Sequence, residues 1–447
     1  MSSAPVSRLR RVSFLAALAT ASSLLAQPAP NRGAARPGQP PAPPPAPVTT
    51  PPAPTATPAA PVSPPPAAPS VTAGPAGPAQ RPGAAGVFGQ PLAGLTTSQL
   101  VAFADGREDF VERETPASGL GPIFNDVSCA ACHSAPAVGG ASGRTVTRFG
   151  HTAAGVFDPL AALGGSLLQD RSLPGVPRET IPATANTVAR RVTTPLFGAG
   201  LIEAIPDSAI VLGTLRAKPA GVAGKVAMVR DVASGELRVG RFGWKAQHAT
   251  LLAFSADAYA NEMGITNRFF PTENAPNGNI AAIARFTRPT VDDPVAVDGT
   301  SGTDRLADYM RLLAAPPRAA ANASALAGER LFASVGCASC HTPTLTTGRH
   351  PVAALSEQTV ALYSDLLLHD MGPLGDGIVQ GTAGARDMRT APLWGLRTRN
   401  ALLHDGSART PDAAIRAHAG EAAGIRDAYL RLGAAERQQL LDFLNTL

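Results

Sequence analysis

The chain has 447 residues, with 44 glycines, 44 prolines and only 5% aromatic residues. Of the prolines, 22 lie between Pro28 and Pro91, so the disorder signal is confined to the front and a fibrous or wholly disordered protein is excluded. The net charge of +5 also comes from the front: residues 1–86 hold six arginines and no acid, while the rest has 32 basic and 33 acidic residues, too even a balance for nucleic acid to be the main partner.

Arg8, Arg10 and Arg11 precede a short apolar run, Val12 to Ala26. This pattern predicts a secretory signal peptide over residues 1–26; a retained membrane anchor is the alternative, for which the run is short. Residues 27–85 read as a Pro/Ala-rich disordered linker, extended at most ~3.1 Å per residue in polyproline II form. The body divides into an N-terminal domain, 86–315, and a C-terminal domain, 316–447. The boundary falls at Pro316-Pro317, after a helix ending near Leu313.

In the first domain, Gly106 and Phe110 form an i, i+4 pair, a Pro/Gly-rich insertion follows, and then Cys129-Ala-Ala-Cys132-His133. Val226, Met228 and Arg230, then Leu237, Val239 and Arg241, alternate around Ser234-Gly235 and predict one hairpin. A helix is expected after Trp244, to about Met263. In the second domain, Gly328, Leu331, Phe332 and Val335 share one helix face that leads into Cys337-Ala-Ser-Cys340-His341. Leu440, Phe443, Leu444 and Leu447 mark a closing helix. The expected fold is mainly α and loop-rich: two cytochrome c-like domains with a small β-hairpin in the first.

Cys-x-x-Cys-His occurs twice and uses every cysteine. The spacing is the attachment signal for covalent haem c, with Cys129, Cys132, Cys337 and Cys340 as the bonded thiols. The adjacent His133 and His341 then stand as proximal iron ligands. A thioredoxin-like site would need a βαβ context, and a four-cysteine zinc site would join pairs over 200 residues apart and leave both histidines unexplained. Six histidines remain for the sixth coordination positions: His151, His248, His350, His369, His404 and His418. Spacing does not choose among them.

With these two sites, the stretches Arg191-Val-Thr-Thr-Pro-Leu-Phe-Gly-Ala-Gly-Leu-Ile-Glu203-Ala-Ile-Pro, Gly240-Arg-Phe-Gly-Trp-Lys245 and Leu368-His-Asp-Met-Gly372 resemble the di-haem c-type oxidoreductase and peroxidase family, also labelled thiol oxidoreductase. Arg389-Thr-Ala-Pro-Leu-Trp-Gly395 and Leu403-His-Asp-Gly406 fit too, and the resemblance runs from about Leu100 to Leu447. The family is related to bacterial di-haem cytochrome c peroxidases. The resemblance implies that His418 takes the position where the peroxidases place a methionine on the C-terminal haem. It also implies that His151 is a loop histidine capping the N-terminal haem, and Glu203 a distal-pocket carboxylate for acid–base work on peroxide. Trp244 and Trp394 are candidates for a place between the haems, and Arg191, Arg241, Lys245 and Arg389 for haem propionates. Relatives often hold calcium between domains, but no acidic loop of calcium-ligand type occurs in this sequence.

The expected function is that of an exported, periplasmic di-haem cytochrome. It would reduce hydrogen peroxide with electrons from a small electron-transfer protein, a cytochrome c or a cupredoxin. It would have no nucleic-acid partner and no integral membrane span once the signal is removed. The alternatives are a non-enzymatic di-haem electron carrier, or a di-haem enzyme that oxidises a partner protein or an organic substrate.

Overall fold

The computed structural model describes residues 87–447, which fall within one compact unit. The expected signal peptide and linker lie outside these residues. Among the described residues there are nine α-helices: α1 (Thr97–Val111), α2 (Ala199–Glu203), α3 (Asp207–Gly213), α4 (Leu251–Glu262), α5 (Gly302–Leu312), α6 (Ala323–Val335), α7 (Pro411–Ala417), α8 (Ala423–Arg431) and α9 (Ala434–Leu444). None is long and apolar enough to cross a membrane.

Two helix pairs organise the two cores, and they are built alike. α1 buries Phe103, Gly106 and Phe110 against α5. A Cβ on Gly106 would run into the Arg305 carbonyl oxygen, so glycine sets how closely the two helices approach. α6 buries Gly328 and Phe332 against α9, and there a Cβ on Gly328 would strike the Gln439 carbonyl oxygen. Phe332 packs edge-on to Phe443, ring centroids 5.2 Å apart. Burying each such ring contributes about 2–3 kcal/mol. Leu440, Phe443 and Leu444 are buried on α9, and Leu447 is buried just beyond its end. Pro316 and Pro317 lie between α5 and α6.

The expected hairpin forms, as β6 and β7 below, but the β content of the first half is larger than one hairpin. In chain order the strands are β1 (Ile123–Phe124), β2 (Thr145–Ala153), β3 (Val156–Asp158), β4 (Arg171–Ser172), β5 (Thr187–Val192), β6 (Met228–Arg230), β7 (Leu237–Val239), β8 (Leu345–Thr346), β9 (Thr359–Val360), β10 (Leu368–Asp370) and β11 (Asp387–Arg389). All pairings between them are antiparallel: β1–β4, β3–β2–β5, β6–β7, β8–β9 and β10–β11. The three-stranded sheet aligns Thr145 with Val192 and Gly150 with Thr187. β2 buries only Phe149 and Gly150, so it lacks the apolar alternation that marks a strand in sequence. Its register is fixed by a partner some 40 residues away. α4 also starts later than expected, because Gly243 and Ala246 take left-handed backbone conformations that turn the chain. The Thr250 hydroxyl then accepts from the Ala253 N–H at 3.2 Å and caps α4.

Candidate functional site

Both Cys-x-x-Cys-His segments fold as one tight turn, Cys129–Ala131 and Cys337–Ser339. The His133 N–H donates to the Cys129 carbonyl and the His341 N–H to the Cys337 carbonyl, each at 3.0 Å. Phe110 lies 6.0 Å from the His133 ring and Phe332 6.5 Å from the His341 ring. The Gly/Phe pair of each helix thus serves helix packing with its glycine and the histidine with its ring. His133 Nδ1 faces the Gly140 carbonyl at 3.1 Å, and His341 Nδ1 faces the Tyr363 carbonyl at 3.0 Å. A carbonyl only accepts, so Nδ1 carries the proton and Nε2 keeps a free lone pair, the arrangement a metal-ligating imidazole needs. Burial lowers both pKa values to about 4, which keeps both rings neutral.

Each turn opens into its own cavity. The C-terminal one, about 200 Å³, is lined by Cys337, Cys340 and His341, by Phe332, Ala414, Ile415, Leu440 and Leu444, and by His369, His404 and His418. His418 follows α7, and its Nδ1 donates to the Ala414 carbonyl at 2.7 Å, so its Nε2 is also free. Burial lowers its pKa, as it does for His341. His369 is different. Its Nδ1 meets Glu421 Oε2 at 2.7 Å and its Nε2 meets Asp365 Oδ2 at 3.1 Å. Burial alone would lower its pKa, but hydrogen bonds led by Asp365 raise it to about 10, and neither nitrogen is left to bind a metal. His404 packs edge-on to Trp244 at 6.3 Å.

The N-terminal cavity, about 180 Å³, holds Cys129, Cys132 and His133. One wall is α4, which contributes Phe254, Asp257, Tyr259 and Glu262, and the lining also includes Asn125, Arg148, Gln247, Met263 and Met310. Its two α4 carboxylates are tuned apart. Burial raises the Glu262 pKa, against a 2.7 Å hydrogen bond from Asn125 Nδ2 to its Oε2. Burial would also raise Asp257, but His248, 3.3 Å away, together with Arg148 and Asn261, holds it below the usual carboxylate range. Two carboxyl groups in one cavity with opposite shifts are equipped to hold and to take a proton.

Trp244 lines both cavities. Its indole N–H donates to the Val192 carbonyl at 2.9 Å. The residues beside these two, Lys245 and Arg191, meet on the buried Asp376 of the second half, at 2.9 and 2.7 Å. Trp394 lies outside both cavities and lines a smaller one, about 40 Å³, with Trp244.

The structure places two expected site residues elsewhere. Glu203, expected in a distal pocket, lines neither haem-type cavity. Its Oε1 accepts from the Leu251 N–H at 2.7 Å, capping the start of α4, and its Oε2 pairs with Arg311 at 2.7 Å. Both oxygens are occupied in joining α2, α4 and α5. His151, expected on a capping loop, is in strand β2, pairs with Asp158 of β3, and directs Nδ1 to the Thr184 carbonyl at 2.6 Å. Neither cavity includes it. Arg241 is bound to Asp207 and to the carbonyls of residues 202, 203 and 205. Glu262, Asp257 and Gln247 escaped the sequence reading, because their spacing along the expected helix follows no single face. Burial also pushes the Cys129 and Cys337 thiols up to about 12 and Cys132 to about 11, the reverse of what thiol–disulfide exchange needs.

Two neighbouring cavities, each closed by a cysteine pair and a neutral histidine, define a protein arranged for two haems. The chain belongs to the family described as "Di-haem oxidoreductase, putative peroxidase", whose model matches residues 183–447. Solved structures similar to it include the hydrazine synthase of Kuenenia stuttgartiensis (15% identity, 81% of this chain and 97% of that one, TM-score 0.37). Others are the diheme peroxidase BthA from Burkholderia thailandensis E264 (17% identity, 81% and 87%, TM-score 0.37) and a MauG-like protein associated with microbial copper homeostasis (14% identity, 81% and 94%, TM-score 0.37). No curated protein matches significantly.

Proposed function

We propose that this di-haem oxidoreductase is an exported peroxidase, with hydrogen peroxide reduced in the N-terminal cavity and electrons entering through the C-terminal one. Residues 1–26 would direct export and 27–85 act as a spacer. Residues 86–315 and 316–447 would each form a cytochrome c-like haem domain. The observation that carries this reading is the contrast in lining. The C-terminal cavity offers two neutral imidazoles with free Nε2 atoms, His341 and His418. The N-terminal one offers His133 and a pair of oppositely tuned carboxylates.

The donor sets fit haem c: two thiols for its vinyl groups, a neutral imidazole for its iron, and mostly apolar walls. Bound haem would supply redox-active iron for peroxide chemistry and for electron storage. The overall balance is one hydrogen peroxide, two electrons and two protons giving two waters. Glu262, the carboxyl group with the raised pKa, takes the proton from one peroxide oxygen and returns it to the other. Asp257 stays ionised and, with Arg148, fixes the polar side of the cavity. Gln247 orients the substrate by hydrogen bonding. Trp244 bridges the cavities, held by Val192 and by the Arg191–Asp376–Lys245 cluster. The electron donor is a small redox protein such as a cytochrome c or a cupredoxin.

A second reading, a pure electron carrier, is favoured by Met263 and Met310 on the N-terminal cavity wall, since a thioether ligand would close that site. Peroxide-dependent oxidation of a reduced cytochrome c by the holoprotein separates the two. The peroxidase reading requires turnover that falls steeply in Glu262→Gln with both haems retained. Absence of turnover in the wild type supports the carrier.

A further inference from the structure

Most buried cations among the described residues come with a carboxylate. Arg191 and Lys245 share Asp376, Lys218 meets Asp365 at 3.0 Å, and Arg241 meets Asp207. Arg389 and Arg399 break this rule. Arg389 ends β11 and is 7% exposed. Its Nε donates to the Gly243 carbonyl at 2.8 Å and its Nη1 to the Thr390 carbonyl at 3.1 Å. Arg399 has an enclosed Nη2 with no hydrogen-bond partner. Among the described residues neither guanidinium makes an ion pair. Both line the C-terminal cavity, and both also line the small cavity that holds Trp244 and Trp394.

We propose that Arg389 and Arg399 form an anion-binding pair in the C-terminal cavity, and that they take the two propionate carboxylates of the haem held by Cys337, Cys340 and His341. A buried guanidinium beside a half-buried one, with no counter-charge to either, favours an anionic partner that carries about two charges. Guanidinium forks match carboxylates two bonds at a time, and the rest of the cavity is largely apolar, as a porphyrin face requires. Burial lowers both arginines to about 10, with Arg399 adding to the effect on Arg389, so each is short of an anion in the same direction. The pair also borders the small cavity that contains both tryptophans, where residues 194–254 of the first half face it. A small free dianion such as inorganic phosphate shares this chemistry and is the competing occupant.

The inference rests on the reading of this cavity as a haem site, and the test keeps the two apart. Covalent haem is counted by intact mass and by the pyridine haemochrome spectrum in wild type, Arg389→Gln, Arg399→Gln and the double variant. Midpoint potentials are measured by spectroelectrochemistry, and the propionate bending modes by resonance Raman. The expected result is two haems in every variant, a downward shift of one haem's potential in each single variant, a larger shift in the double, and altered propionate modes of that haem. Inorganic phosphate should leave the wild-type spectra unchanged. Unaltered potentials and propionate modes with two haems present overturn the assignment, as does saturable phosphate binding lost in the variants. A wild type lacking haem on Cys337 and Cys340 overturns the haem reading itself, and with it the assignment. If the glutamine variants do not fold, Arg389→Lys and Arg399→Lys decide: the charge is kept but the fork is lost, so propionate modes shift if the assignment holds and stay fixed if it does not.

Discussion

The two cavities are built on the same plan and differ where it matters. Each has a helix with a Gly/Phe pair, a one-turn Cys-x-x-Cys-His segment, and a histidine fixed through Nδ1 by a peptide carbonyl. In the C-terminal cavity a second imidazole, His418, is prepared in the same way, and the walls are largely leucine, isoleucine, phenylalanine and methionine. In the N-terminal cavity α4 presents Glu262 and Asp257 instead. Repetition therefore equips a chain to hold two haems, while one wall of each cavity differs; on the proposed reading, that wall sets which site is closed and which is available for chemistry. The tryptophan that lines both donates to the Val192 carbonyl, and the neighbours of these two residues, Lys245 and Arg191, meet on Asp376 of the second half.

The largest expected effect strikes the N-terminal side of the contrast. Glu262→Gln should lower peroxide turnover about 10²–10⁴-fold with haem content unchanged, as expected for loss of a positioned proton carrier. Steady-state assay against reduced cytochrome c checks this, and unchanged turnover would remove Glu262 from the mechanism. Asp376→Ala tests the link between the cavities. It strands two buried cations, so chemical denaturation should show about 3–5 kcal/mol of lost stability. Glu203→Gln should behave as a structural change: about 1–2 kcal/mol lost with the α4 cap and the Arg311 pair, and turnover preserved. Loss of turnover at full stability would return Glu203 to the active site.

The last prediction concerns pH. Glu179 is buried, accepts from the backbone N–H groups of Gln169 and Asn277, and burial raises its pKa to about 7. The folded state thus binds this proton more tightly than the unfolded state. Stability should be highest below pH 4.5 on this account and fall by up to about 1.4 kcal/mol per pH unit as pH rises toward 7. Denaturation curves of Glu179→Gln across that window should lose this slope.

Local patterns were readable in the sequence and long-range ones were not. The Gly328–Val335 face gives α6, and the alternation around Ser234-Gly235 gives the β6–β7 hairpin, because each is set by contacts a few residues apart. The two Cys-x-x-Cys-His turns each follow from five consecutive residues. β2 was invisible because its sequence does not alternate and its partner β5 lies far along the chain. Glu203 and His151 illustrate the same limit for the site: motif position suggested catalysis for the first and a haem cap for the second, but the partners that occupy them, Leu251, Arg311 and Thr184, come from distant segments. Glu262 and the Arg389–Arg399 pair are recognisable only once burial and missing partners are known.

The most direct test of the division of labour is electron paramagnetic resonance of the oxidised holoprotein, repeated after half-reduction. The account predicts a low-spin ferric signal that Ala in place of His418 converts to high-spin, and, in at least one redox state of the wild type, a high-spin ferric signal from the other haem that peroxide perturbs. Two low-spin signals when oxidised, with the one remaining after half-reduction still low-spin and indifferent to peroxide, would contradict it and leave a di-haem electron carrier.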